Sequence, residues 1–173
     1  MLRFRHDSPD VVKRILITGG AGFVGSSLAL AMRREVGVVA LDNLRRRGSE
    51  WNVDRLRGAG VGFVFGDIRI PTDLDQFRNV DVMLECSAEP SALAGHGTPP
   101  SYAVDSNLVG AYHCLVWARI RGAALLFLSS SRVYPIAALS GLNYTEETTR
   151  FALADAQQVR GASAAGIGES FPL

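Results

Sequence analysis

The chain has 173 residues, enough for one domain with a sizeable hydrophobic core. It is 47% hydrophobic and 20% charged with a net charge of +1, which gives no case for nucleic acid or an acidic membrane surface as a partner. Its start carries several charged side chains and no signal-peptide segment, and no apolar run approaches membrane-spanning length. We therefore expect a cytoplasmic protein in which residues 1–13 form a polar leader and Cys86 and Cys114 are reduced, buried thiols.

The first predicted strand ends in a glycine-rich turn. Residues 15–17 form a short apolar run typical of a strand buried on both faces, and Gly19, Gly22 and Gly25 follow it. Apolar residues at helical spacing begin at residue 23. Glycines let the N–H groups at a helix start approach a pyrophosphate, so strand, glycine turn and helix together predict a dinucleotide site.

The second predicted strand spans residues 37–41, and an acidic residue, Asp42, follows it. A carboxylate at the position of Asp42 can accept hydrogen bonds from the adenosine ribose hydroxyls of NAD. The arginines at 45–47 suggest a pocket for the 2′-phosphate of NADP, but Asp42 would repel that phosphate, so a solvated loop is the favoured interpretation. A Rossmann-like layer without a ligand is the alternative.

The later elements alternate between strands and helices. They are a short helix carrying Trp51 and Leu56, a strand at 61–65, a short helix at 71–78, a strand at 80–86, a long helix at 101–121 and a strand at 123–128. The alternation predicts an α/β fold, a Rossmann-type doubly wound parallel sheet in the order 3-2-1-4-5, as a single domain over residues 14–134. Residues 135–173 show no convincing strand and are expected to be loop or a poorly ordered tail.

Several motifs resemble the extended short-chain dehydrogenase/reductase family, in its NAD-dependent epimerase/dehydratase group. They are TGGAGFVG at 18–25, DN at 42–43, GDIR at 66–69, SAEPS at 87–91, Asn107 in SNLVGAYH and SSSRVYP at 129–135. The segments DNLRRRG, GDIR and TEETTR look like the branch of nucleotide-sugar enzymes that holds the CDP-paratose (CDP-tyvelose) 2-epimerases. The resemblance implies NAD as cofactor, a nucleotide sugar as substrate, and oxidation and reduction at a sugar carbon.

The resemblance also assigns the cofactor-binding residues. The glycine turn would face the pyrophosphate, covered by the start of the helix, and the acid–amide pair after the second strand would hold the adenosine ribose. Asp67 and Ile68, after the third strand, would border adenine. Residues 86–88, after the fourth strand, would line the nicotinamide. Asn107, a buried helix residue, would form hydrogen bonds with backbone near the cofactor. In chain order these residues are Gly19, Gly22, Phe23, Val24, Gly25, Asp42, Asn43, Asp67, Ile68, Cys86, Ser87, Ala88 and Asn107.

The catalytic part of the resemblance is incomplete. Ser130 matches the family's catalytic Ser/Thr, which bonds the sugar hydroxyl being oxidised, whereas Glu85 stands where the family commonly has histidine. The family also uses a YxxxK pair, whose tyrosinate takes the hydroxyl proton and whose lysine lowers the tyrosine pKa. Here alanine and threonine stand four residues after Tyr134 and Tyr144, and Lys13 is the only lysine. We expect a truncated chain without its substrate domain, inactive alone; a non-catalytic dinucleotide-binding module or degenerate paralogue is the alternative.

The predicted helix at 101–121 carries more apolar side chains than one buried face needs. We expect it to bury two faces, along a stripe that consists of Val104, Leu108, Ala111, Leu115 and Ala118, widened by Tyr112, Val116 and Ile120. In the family, a later helix packs beside this one and such pairs form the dimer, so we expect a homodimer through an exposed apolar face. The three histidines lack ligand spacing, so no metal site is expected.

Overall fold

The structure, a computed structural model, describes residues 12–91, 93–97, 99–129 and 133–172. Most of the predicted leader and the predicted catalytic residue Ser130 lie outside these residues. The chain divides into two compact units, Met1–Leu128 and Ser129–Leu173. Each unit is described by itself.

Unit 1 is built on a five-stranded parallel sheet. Its strands are β1 (Arg14–Thr18), β2 (Gly37–Asp42), β3 (Gly62–Phe65), β4 (Val82–Glu85) and β5 (Ala124–Phe127). The order β3-β2-β1-β4-β5 confirms the Rossmann-type order predicted from the sequence. In the register of the sheet, Thr18 lies beside Leu41 of β2 and Glu85 of β4. The carboxyl ends of these three strands therefore meet at one edge, where open α/β sheets bind their ligands.

Helices cover both faces of this sheet. They are α1 (Phe23–Met32), α2 (Trp51–Gly58), α3 (Pro71–Asp75), α4 (Ser101–Val104), a π-helical turn (Asp105–Gly110) and α5 (Ala111–Arg121). Because side chains alternate along a strand, Leu16 joins a core cluster with Trp117 of α5, while Ile15 and Ile17 join a second cluster with Ala29 of α1. The strand is therefore buried on both faces, as its apolar run predicts. No described helix is long and apolar enough to cross a membrane.

The predicted helix at 101–121 is interrupted by the π-helical turn, and the side chains that it buries are largely not those of the predicted stripe. A π-helical turn rotates the following residues relative to a regular α-helix. One face of this segment is buried and not two: Val104, Leu108 and Leu115 of the predicted stripe are 49%, 66% and 55% exposed, which agrees with the expected exposed apolar face. Only Ala118 of the stripe is fully buried; the buried residues here are Ser106, Gly110, Cys114, Trp117 and Ala118.

Unit 2 contains short elements where the sequence showed no convincing strand. They are α6 (Ile136–Ser140) and two antiparallel hairpins, β6 (Tyr144–Glu146) with β7 (Phe151–Leu153) and β8 (Ala162–Ser163) with β9 (Gly166–Ile167). The rings of Tyr144 and Phe151 meet edge to face at 5.3 Å across the first hairpin. The expectation of no strand is wrong here because strands of two or three residues are too short to show a periodic pattern.

Candidate functional site

A cavity of about 200 Å³ opens at the carboxyl edge of the sheet in unit 1. Its wall combines the ends of β1 to β4 with residues of α4 and the π-helical turn. Of the predicted site residues, the wall contains Gly19, Gly22, Asp42, Asn43, Asp67, Ile68, Cys86, Ser87 and Ala88. The structure thus brings together, at one place, residues that the sequence analysis assigned from four separate motifs.

The glycine turn allows close packing between α1 and the strands. Gly19 has φ of 61°, in the left-handed region that favours glycine, and a Cβ there would lie 2.8 Å from the carbonyl oxygen of Cys86. A Cβ at Gly25 would lie 2.8 Å from the Cα of Gly20. Neither position can take a larger residue unless backbone moves. The glycines therefore bring the N-terminus of α1 against the ends of β1 and β4.

The start of α1 presents unused backbone donors. The N–H groups of residues 23–25 meet no acceptor within the described part of the chain, as is usual for the first turn of a helix. The side chains of Phe23 and Val24 are exposed and lie outside the cavity wall. Any role of these two residues in the site therefore comes from their backbone N–H groups, which suit an anion such as a phosphate.

The carboxylate of Asp42 is held in place by backbone donors. Its Oδ2 accepts the N–H of Ala21 at 3.0 Å and its Oδ1 accepts the N–H of Leu44 at 2.8 Å. An ionised carboxylate has about four lone-pair sites, so two remain for donors in the cavity. Asp42 is thus an oriented acceptor with unused capacity, as a pair of ribose hydroxyls requires.

A second acidic residue forms a small network beside Asp42. Asp67 accepts a hydrogen bond from Asn43 Nδ2 at 2.9 Å, and the Arg69 guanidinium donates to both of its carboxylate oxygens, the shortest bond being 2.6 Å. Burial acts to raise the pKa of Asp67, but the bonds from Arg69 and Asn43 outweigh it and hold the pKa at about 2. Asp67 therefore stays ionised and rigid at neutral pH.

Glu85, in the place of the family histidine, is almost fully buried at the end of β4. Its Oε1 accepts the Thr18 hydroxyl at 3.3 Å and the Ser87 N–H at 2.9 Å. Burial raises the pKa of Glu85, although these hydrogen bonds act against the change. Burial, with the nearby Glu85 charge, also raises the pKa of Cys86 to about 11, so this thiol is not a nucleophile at neutral pH.

Asn107 does not lie where its predicted role places it. It is exposed rather than buried, and it is not part of the cavity wall. Its side chain does bond backbone, as expected: Oδ1 accepts the Glu89 N–H at 2.7 Å and Nδ2 donates to the Glu89 carbonyl at 3.1 Å. The π-helical turn carries Asn107 outwards, so it supports the segment after β4 from outside the cavity.

The sequence analysis missed several residues of this region, among them Leu41, Ser49, Gly66 and Glu89 of the cavity wall. Arg69 has a local signal, because it follows Asp67 by two residues and pairs with it. Tyr102 and Ser106 line the cavity from α4 and the π-helical turn, and no motif pointed to them. No group of three or more potential metal ligands occurs among the described residues.

Comparison with known proteins identifies the family. The model of the NAD dependent epimerase/dehydratase family matches residues 15–156, which is most of the chain. The protein belongs to this family.

Relatives within the family act on nucleotide sugars. CDP-paratose 2-epimerase from Salmonella typhi is 30% identical over 82% of this chain, which covers 43% of that enzyme. dTDP-glucose 4,6-dehydratase from Mycolicibacterium smegmatis is 32% identical over 80% of this chain and 42% of its own length. The chain therefore spans less than half the length of these curated relatives.

Solved structures share the fold of this chain. A UDP-glucuronic acid 4-epimerase variant from Bacillus cereus, in complex with UDP-4-deoxy-4-fluoro-glucuronic acid and NAD, has a TM-score of 0.64 and 26% identity, over 70% of this chain and 41% of that one. UDP-glucose-4-epimerase from Stenotrophomonas maltophila has a TM-score of 0.61 and 24% identity, over 84% and 44% of the two chains, and shows the shared fold.

Proposed function

We propose that the cavity at the sheet edge binds NAD(H). The observation that carries this proposal is the Asp42 carboxylate, which lies in the cavity wall and is held by the Ala21 N–H of the glycine turn. It is an oriented acceptor beside unused donors at the start of α1, so a ribose and a pyrophosphate can bind next to each other. The family of the chain is NAD-dependent, and the Bacillus cereus relative was solved with NAD.

The wall residues suggest how the cofactor lies. Its adenosine ribose would bond Asp42 and Asn43, and its adenine would rest against Asp67 and Ile68. Its pyrophosphate would meet the N–H groups at the start of α1, between Gly22 and Gly25. Its nicotinamide would lie along residues 86–88, contacted largely by backbone. These roles are the ones that the family resemblance implies, and what supports them is that Asp42, Asn43, Asp67, Ile68, Gly22 and residues 86–88 all line this one cavity.

We infer that the wider protein is a nucleotide-sugar epimerase or dehydratase, with a reaction similar to that of a CDP-paratose (CDP-tyvelose) 2-epimerase. The Salmonella typhi relative supports this substrate class. When bound, NAD would accept and return a hydride at a sugar carbon. Ser130, outside the described residues, would bond the sugar hydroxyl.

The 173 residues contain no YxxxK pair, because Lys13 is the only lysine and it precedes β1. Without the tyrosine base and its lysine, proton removal loses orders of magnitude in rate. This observation favours a second candidate function for the chain by itself, a dinucleotide-binding module without turnover.

We propose that the chain forms a homodimer through α5 and the segment before it. Its exposed apolar side chains include Leu108, Tyr112 and Leu115, which are 66%, 61% and 55% exposed. Contiguous exposed apolar surface of this kind usually marks an interface.

Two measurements test the cofactor proposal and the reaction proposal separately. Calorimetric titration of the purified chain with NAD⁺ should show one site, and its absence would contradict NAD binding. The same sample should convert no CDP- or UDP-sugar. Conversion that disappears in Ser130→Ala would instead show that the chain is catalytic and would exclude the module without turnover.

A further inference from the structure

One aromatic ring at the wall of the cavity contacts two arginines. The Cζ of Arg45 lies 3.9 Å from the centroid of the Tyr102 ring, and the Cζ of Arg69 lies 4.6 Å from it. Arg45 follows β2, Arg69 follows β3, and Tyr102 belongs to α4, so the ring joins the loops of two strands to a helix that follows β4. Both distances are typical of attractive cation–π contacts.

The two arginines are held in different ways. Arg69 is fixed by its ion pair with Asp67, at 2.6 Å. The Arg45 side chain makes no ion pair within 4.0 Å and no hydrogen bond with the described residues, although Asp42 is only three residues away in the chain. The face of Tyr102 is therefore the contact that determines where the Arg45 guanidinium lies.

The position of Arg45 matters for the choice of cofactor. NADP differs from NAD by a phosphate on the adenosine ribose, which in the proposed complex lies at Asp42. A free guanidinium beside this ribose would give the phosphate charge-assisted hydrogen bonds and offset the repulsion from the carboxylate. Two arginines of the loop after β2, Arg46 and Arg45, line the same cavity as Asp42, and of these two only Arg45 contacts Tyr102. Its guanidinium is held on the Tyr102 ring instead.

We propose that Tyr102 is a specificity-determining residue, which holds Arg45 against its ring and so withholds a cation from the 2′-phosphate of NADP. This inference rests on the proposed function, since it needs NAD to bind with its ribose at Asp42. To bind the phosphate, Arg45 must leave the ring, and the lost contact weakens NADP binding. Replacing the ring removes that cost.

The test compares NAD⁺ and NADP⁺ as calorimetric ligands of the full 173-residue chain. Tyr102→Leu keeps apolar bulk and removes the ring face, and because Arg45 is exposed it should lower the Kd for NADP⁺ by roughly 2- to 5-fold, with little change for NAD⁺. Tyr102→Phe keeps the ring and should match the wild type. Adding Arg45→Gln to Tyr102→Leu should abolish the gain, because the released cation is then absent.

If Tyr102→Leu does not fold, the single variant Arg45→Gln still tests the inference. Arg45→Gln alone should leave the Kd for NADP⁺ nearly unchanged, because in the wild type the loss of the ring contact offsets what Arg45 would gain at the phosphate; a large loss would overturn the inference. Equal changes for both dinucleotides in Tyr102→Leu, or no gain for NADP⁺, would also overturn it and leave NAD binding intact. If the wild type binds neither dinucleotide, the proposed function fails, and this inference fails with it.

Discussion

The backbone N–H of Ala21 donates to the carboxylate of Asp42 at 3.0 Å, so the turn after β1 is tied directly to the end of β2. This bond fixes the acid that would recognise a ribose relative to the helix start that would bind a pyrophosphate. The two halves of a dinucleotide site are therefore oriented by one contact, before any ligand enters.

Removing the Asp42 carboxylate should weaken NAD binding and reduce the preference for NAD over NADP. Asp42→Ala loses the ribose acceptor and the negative charge, and we expect NAD⁺ affinity to fall roughly 10- to 100-fold. NADP⁺ should lose less, because the repulsion of its 2′-phosphate disappears as well. Calorimetry with both ligands measures the two effects, and Asp42→Asn is the control that removes the charge but keeps an acceptor. Tighter binding of NADP⁺ than NAD⁺ by the wild type would contradict the assignment.

A methyl group at Gly25 should destabilise unit 1. The added Cβ would meet the backbone of Gly20 at 2.8 Å, and backbone cannot yield as a side chain can. We expect the free energy of unfolding to fall by about 2 kcal/mol or more in urea titrations of Gly25→Ala. Gly58→Ala is the matched control, because a Cβ at the end of α2 meets nothing within 4 Å. Equal stabilities of the two variants would show that the close packing of the turn is not required.

Acid should destabilise unit 1 partly through Asp67. The pKa of Asp67 is lowered from 3.8 to about 2, so the folded state binds fewer protons than the unfolded state across this range. The stabilisation is full above pH 3.8 and is lost as the pH falls towards 2. Asp67→Asn should lower the free energy of unfolding at pH 7 by at most about 2 kcal/mol and flatten its acid dependence. Glu35→Gln is the control, because it alters an exposed side chain that makes no hydrogen bond or ion pair with the described residues, and it should leave the free energy of unfolding at pH 7 nearly unchanged.

Glu85 should have the opposite pH dependence. Its pKa is raised by burial, so its contribution to stability is full below its usual value and is lost as the pH rises through the folded-state value. Glu85→Gln keeps an acceptor for Thr18 and Ser87 without a titratable proton. Urea unfolding at pH 5 and pH 8 should show the variant gaining stability relative to the wild type at the higher pH. A pH-independent difference between the two would contradict this cause.

Charging the exposed face of α5 and the segment before it should prevent self-association. Leu108→Glu with Leu115→Glu places two carboxylates in the proposed interface, and sedimentation should show a monomer where the wild type is a dimer. Trp51→Glu alters a side chain that is 78% exposed on α2 and should leave the dimer intact. A wild type that is monomeric at high concentration would make the dimer proposal wrong.

The sequence by itself determined the strand order, the glycine turn and Asp42 as the acid after β2. These features depend on local patterns: an apolar run, glycines that permit close approach, and a charged residue at a strand end. Asp67 was also found from its motif, whereas its ion pair with Arg69, only two positions away, was not predicted.

Only the tertiary structure decided what surrounds those residues. Thr18 and Glu85 are 67 positions apart yet share a buried hydrogen bond, and Arg45 finds Tyr102 across the cavity rather than Asp42 in its own loop. Asn107 and much of the predicted stripe lie on the exposed side of this helical segment, and apolar spacing alone does not encode which side packs against the sheet. Local sequence patterns determine which residues form strands, turns and helices. Burial and long-range contacts exist only once these elements have packed together.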